Sequence, residues 1–102
     1  MSVSWAYLYL HRGTDPVADR TVVERAGQRT ALVPVPDSAA APKVAAGLAE
    51  EGAQLIELCG GFGLEAAARV RAAVPDRVPV GQMVFATDSV RAAAAFSEAA
   101  SS

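Results

Sequence analysis

Residues 53–64 read Ala-Gln-Leu-Ile-Glu-Leu-Cys-Gly-Gly-Phe-Gly-Leu, and the reading of this stretch decides the fold. Ala53 to Leu58 is a short apolar run between glycines, which predicts a strand. Cys59-Gly60-Gly61-Phe62-Gly63 predicts a glycine-rich turn. Beyond it Leu64, Ala67, Val70 and Val74 recur at helical spacing up to Pro75-Asp76, which closes the helix. Strand, tight turn and helix form one half of a βαβ unit, and the rest of the chain repeats the pattern.

Downstream, Val78 to Phe85 predicts another strand, with Gly81 in its interior. Thr87-Asp88-Ser89 then cap an alanine-rich helix running to about Ala99, and the tail 100–102 is expected to fray. Upstream, Asp37 and Ser38 cap a helix that ends near Glu51 at Gly52, with Val44, Leu48 and three alanines on its apolar side. Thr30 to Val35 is a strand in which Pro34 argues for an edge or a strand end. Val3 to Leu10 is dense in aromatic and β-branched residues and predicts a strand buried on both faces. Residues 17–26 fit two patterns. Val17, Val22, Val23 and Ala26 suit one helical face, the favoured reading, while Thr21-Val22-Val23 also suits a strand turning at Ala26-Gly27-Gln28. The expected architecture is a single α/β domain over residues 1–102, a mostly parallel four-stranded sheet with flanking helices on one or both faces. The alternative uses the hairpin over 21–35 and gives an α+β sandwich, with two subunits able to pair their sheets into a barrel.

Composition narrows the function. A chain of 102 residues buries one core. Its nine basic residues are scattered against eleven acidic ones, so the basic stripe of a nucleic-acid binder is missing. No apolar run approaches the roughly 20 residues of a membrane span, and the first residues lack the pattern of a signal peptide, so a cytoplasmic setting is expected. One cysteine and one histidine exclude an intrachain disulfide and any multi-thiolate or two-histidine metal site within one chain. No cofactor and no metal are expected. The hydrophobic share of 52% is high for so short a chain, which points to a homodimer or higher homo-oligomer.

In open parallel sheets ligands bind beyond the carboxyl ends of the strands. That rule brings His11 and Arg12, after the first strand, to the same rim as Glu57 and Cys59. His11 is the natural proton shuttle near neutral pH, set against a hydrogen-bonded histidine at a strand end. Glu57 lies two residues before Cys59, so both point to one side of the strand. A carboxylate within an apolar strand is costly unless paired, and partial burial would raise its pKa toward general acid–base work. The alternatives are an ion pair with an arginine such as Arg12, or plain exposure. Gly60, Gly61 and Gly63 would let the backbone approach a ligand and adopt positive φ, and the helix N-terminus beyond them favours an anion and a thiolate at Cys59. A structural turn around a buried cysteine accounts for the same residues. Arg12 could hold an anionic substrate, and Gln82 could donate to a carbonyl oxygen. Phe62 and Phe85, with Trp5, Tyr7, Tyr9 and Met83, could line an apolar pocket, core packing being the more ordinary fate of aromatic residues.

The segment Gln54-Leu55-Ile56-Glu57-Leu58-Cys59-Gly60-Gly61-Phe62-Gly63 resembles the hallmark of a family of short bacterial proteins catalogued as a domain of unknown function. Trp5-Ala6-Tyr7-Leu8-Tyr9-Leu10-His11 and Val78-Pro79-Val80-Gly81 resemble it as well. The resemblance implies a compact α/β domain and no particular activity. The residues themselves lead to an expected function in which His11, Glu57 and Cys59 perform proton transfer, of isomerase, cyclase or lyase type, on a carbonyl-bearing or anionic small molecule. The alternative is a non-catalytic binding or accessory protein for an anionic metabolite or a partner chain.

Overall fold

The aromatic, β-branched amino terminus becomes the central strand. In the computed structural model, which describes residues 2–101, β1 (Val3–Leu10) pairs in parallel with β3 (Gln28–Val35) on one side and β4 (Ile56–Leu58) on the other. β5 (Val80–Gln82) extends the parallel set beyond β4, and β2 (Thr21–Arg25) pairs antiparallel with β3 at the opposite edge. The order β2-β3-β1-β4-β5 gives five strands where four were expected. The helices are α1 (Ala41–Glu50), α2 (Leu64–Ala73) and α3 (Val90–Ser101). Of the tail expected to fray, Ala100 and Ser101 are helical, and Ser102 lies outside the described residues, as does Met1.

The extra strand comes from residues 17–26, where the favoured helix does not form. Asp15 and Pro16 start only one turn, in which the Asp15 carboxylate accepts from the N–H groups of Val17 and Ala18 at 2.8 and 2.9 Å. The β-branched Thr21-Val22-Val23 then run extended, and Ala26 (φ 56) and Gly27 (φ 77) turn the chain into β3. Two successive residues at positive φ make the tight hairpin whose twist matches that of its strands. Pro34 sits in an internal strand rather than an edge. Val35 turns its carbonyl toward β1, where it accepts from His11 N–H at 2.9 Å, so Pro34 directs its nitrogen to the side where β2 has already ended at Thr21 opposite Leu32. No ladder bond is lost.

One face of the sheet holds the core. Ala6 and Leu8 of β1, Ala31, Val33 and Val35 of β3, and Ile56 and Leu58 of β4 share that face and are buried against Ala41, Ala45, Leu48 and Ala49 of α1 and Val70 of α2. Ala6, Ala31, Ala41, Ala45 and Ala49 lie here, since small side chains on both layers let helix and sheet approach closely. Helix entry and exit follow the sequence. Asp37 caps the 3-10 turn Ser38–Ala40, accepting from Ala40 N–H at 2.9 Å, Pro42 occupies the first turn of α1, and Gly52 (φ 110) ends it.

Why one face only follows from connection handedness. A right-handed β–α–β crossover places its helix on a side set by the direction of travel. α1 carries the chain from β3 to β4 and α2 from β4 to β5, both toward the β5 edge, so both fall on one side. The connection that travels the other way, β1 to β3, is the one where the hairpin replaces the expected helix. Such a helix would have covered the second face. Instead that face carries Trp5, Tyr7 and Tyr9 of β1, Leu32 of β3 and Val23 of β2, all partly or largely exposed, so β1 is buried on one side and not on both.

Candidate functional site

The four parallel strands run in the spatial order second, first, third, fourth, so the chain reverses its direction of travel between β1 and β4. In open α/β sheets the crevice at such a reversal, beyond the carboxyl ends, is where ligands bind. Here it is bordered by Leu10-His11-Arg12-Gly13 after β1 and by Cys59 to Gly63 after β4. β1 and β4 are stitched together up to this point, with Cys59 N–H donating to the Leu8 carbonyl at 3.0 Å, and β5 is joined to β4 at the same level by Met83 N–H donating to the Leu58 carbonyl at 2.9 Å.

The register then decides which side chains meet. Tyr7 stands opposite Glu57, and Glu57 opposite Gly81, on the open face. Alternation puts Tyr9 and Cys59 one row nearer the rim, and His11 one row further. The Tyr7 and Tyr9 rings stack with centroids 6.4 Å apart. Burial raises the Tyr7 phenol above its ordinary pKa, and the Cys59 thiol and the Glu57 carboxyl add to the rise, so the three acids share one field. Gly81 leaves a notch beside the carboxylate, since a Cβ there would lie 3.9 Å from Glu57 Cγ. Cys59 is a free, half-buried thiol, and its Sγ lies 3.5 Å from where a Cβ on Gly61 would sit. Glu57 and His11 are exposed in the single chain, so the partial burial expected of Glu57 is not found.

The glycine turn differs from expectation in one respect. Gly60, Gly61 and Gly63 do not take positive φ; among the described residues only Gly13, Gly27 and Gly52 of the glycines do. Gly60 is needed for close approach instead, because a Cβ there would lie 2.7 Å from Phe85 Cε2 and 3.4 Å from the Met83 carbonyl oxygen. Gly63 is the N-cap of α2 and no side chain caps that end, so the first N–H groups of α2 lack an internal partner.

Three expected ligand contacts have other work. Gln82 lies on the covered face and its amide donates to the Phe62 carbonyl, holding the turn rather than aiming at a substrate. Phe62 is in the core at 3% exposure, so it lines no pocket. Arg12 Nη1 donates to the Ser101 carbonyl at 3.2 Å, at the carboxyl end of α3. Phe85 and Met83 remain exposed beside Gly60, and Trp5, Tyr7 and Tyr9 lie on the open face rather than in the core. Sequence reasoning offered Tyr7 only as an aromatic that could line an apolar pocket, not as an acid beside Glu57. The alternation of β1 places it in line with Tyr9 and His11, but its partner Glu57 depends on the β1–β4 register, which no single-strand pattern specifies. Among the described residues no group of three or more His, Cys, Asp or Glu is placed to hold a metal ion. An open cavity of about 520 Å³ lies at the other end of the sheet, among Ser4, Glu24, Arg25, Arg29 and Gln54, and includes none of the expected site residues.

A parallel core, α1 and α2 on one side and a polar cluster at the reversal of chain direction define an open-faced α/β protein whose reversal point lies between β1 and β4. The chain belongs to the Family of unknown function (DUF6506), whose family model matches residues 3–98. No curated protein and no solved structure matches it. No helix among the described residues is long and apolar enough to cross a membrane.

Proposed function

We propose that this protein is a small cofactor-free enzyme that moves a proton on a carbonyl-bearing or anionic small molecule, in a reaction of isomerase, cyclase or lyase type. The observation that carries this reading is the convergence of Tyr7, Glu57 and Cys59 on two adjacent parallel strands, at the point where the chain reverses direction. Glu57, or His11 from the next row but one, takes a proton from carbon next to the carbonyl. The electron pair moves onto the carbonyl oxygen, where the N–H groups of Gly60, Gly61 and Gly63 and the uncapped start of α2 oppose the developing charge, the Phe62 N–H being engaged by the Cys59 carbonyl. Return of the proton to a different atom completes an isomerisation, with Cys59 or Tyr7 as the second acid. Phe85 and Met83 supply the apolar border.

The exposure of Glu57 and His11 favours a second reading, in which the same rim binds an anionic metabolite, or grips a partner chain, without chemistry. Hydrogen–deuterium exchange separates the two. A panel of 2-oxo and 3-oxo carboxylates in D₂O, followed by proton NMR, is expected to include a compound whose exchange next to the carbonyl the protein accelerates. Glu57→Gln is expected to lower that rate by roughly 10²–10⁴, the usual worth of a general base. Binding of a carboxylate without accelerated exchange of any compound would favour the second reading, and neither binding nor exchange would remove the first and leave of the second only the grip on a partner chain.

A further inference from the structure

We infer that a second copy of this chain covers the open sheet face, with α3 of each copy lying against the exposed face of the other. Largely parallel sheets are almost always covered on both faces, and here the connection that would supply the second cover is a hairpin. The same chain carries an apolar element with nothing to bury it. In α3, Ala93, Phe96 and Ala100 line one stripe at helical spacing, yet no residue is buried, only Ala93 is half-buried, and Phe96 is 74% exposed. α3 does not cover its own open face: its carboxyl end lies at the rim, where the Ser101 carbonyl accepts from Arg12. Two unmatched apolar surfaces on one polypeptide are therefore satisfied by exchange between two copies.

The dimensions suit a dimer. Two strands of eight residues, one of five and two of three, about 4.8 Å apart and rising about 3.3 Å per residue, present an outline of about 430 Å². A helix of twelve residues adds about 180 Å². Together these come to about 600 Å², the lower end of the range per partner in a standard interface. The charge pattern agrees. Among the described strand residues the open face carries two charged side chains, Arg25 at the far end of β2 and Glu57 beside the notch at Gly81, where an enclosed space between the copies can remain. The inference rests on the two apolar surfaces and stands apart from the proposed chemistry.

Analytical ultracentrifugation and the emission of Trp5, the only tryptophan, test it. The single chain has a mass of 10.5 kDa, so the expected species at micromolar concentration has about twice that mass. Dilution is expected to shift Trp5 emission to the red as the open face meets water. Val23→Glu on the sheet and Phe96→Glu on α3 change side chains that are 53% and 74% exposed in one chain, so each variant should keep its circular dichroism. Each is expected to raise the dimer dissociation constant at least tenfold and to leave Trp5 red-shifted. A wild-type protein that stays at 10.5 kDa, or a dimer that survives either substitution unchanged, overturns the inference.

Discussion

At the scale of single residues, Tyr7 is the group whose chemistry reports the site. Burial first, then Cys59 and Glu57, hold its phenol above the ordinary value of about 10. A raised pKa in the folded state means that the neutral form is the one the fold favours. The corresponding stability is complete below the unfolded value and is lost as pH rises through the folded one, so Tyr7 weakens the fold only in alkali. In a Tyr9→Phe background Tyr7 is the only tyrosine, and its ionisation can be followed by absorbance near 295 nm as an approximate tyrosinate band. The midpoint is expected above the ordinary value, to fall in Glu57→Gln, and to stay somewhat raised there because burial is the larger cause. A midpoint that does not respond to Glu57→Gln would place the carboxylate out of reach of the phenol. Gly60 gives the second residue-scale expectation. Gly60→Ala puts a methyl group 2.7 Å from the Phe85 ring, which is half exposed and can swing aside. The loss of stability is expected to be about 1 kcal/mol, at the low end for overpacking, with the Phe85 ring resonances displaced in NMR spectra.

At the scale of elements, what the sequence made legible divides by whether one period fits. Ala53 to Val74 admits a single reading, and β4, the glycine turn and α2 all form there, with β4 shorter than the apolar run suggests. Residues 17–26 admit two, because Val17, Val22, Val23 and Ala26 satisfy a helical face while Thr21, Val22 and Val23 also satisfy a strand. The deciding feature is the pair Ala26-Gly27 at positive φ, and alanine does not advertise that conformation as asparagine would. The site was legible to the extent that it lies in the segments with one reading. His11 and Cys59 fall at the carboxyl ends of neighbouring strands, as alternation and polarity imply. Tyr7 and the engagement of Gln82 with Phe62 were not legible, since both depend on register and on which face a residue meets. The same Ala26 yields a prediction. An L-residue held at φ 56 carries a steric cost of about 1–2 kcal/mol, which asparagine relieves in part by local hydrogen bonding. Ala26→Asn is expected to raise stability by about 0.5–1 kcal/mol, read as a higher urea midpoint at unchanged slope. A lower midpoint would mean that β2 is held by something other than its turn.

At the scale of the whole molecule, stability is concentrated on one side of the sheet, and Leu8 is its centre. It lies in the middle strand, fully buried, with Val33 of β3 and Leu58 of β4 in register on either side, both also fully buried. Within the sheet β3 and β4 are joined only through β1, so a void at Leu8 loosens both halves of the sheet and the helices packed on them. Leu8→Ala is therefore expected to cost about 3–4 kcal/mol, within the range for a buried leucine that the surroundings cannot collapse around. That is a large part of the roughly 5–15 kcal/mol that keeps a chain of this size folded. Because one core serves all of β1, β3, β4, α1 and α2, the loss should appear as a lower urea midpoint with the slope retained and with fluorescence and circular dichroism coincident. Leu32→Ala, on the open face in the row of Tyr7, removes the same side chain from a place where water already reaches it, and at concentrations where the chain is single it should cost less than half as much. Equal losses at Leu8 and Leu32 in the single chain would contradict a one-sided core, and with it the handedness argument that leaves the aromatic face of β1 open.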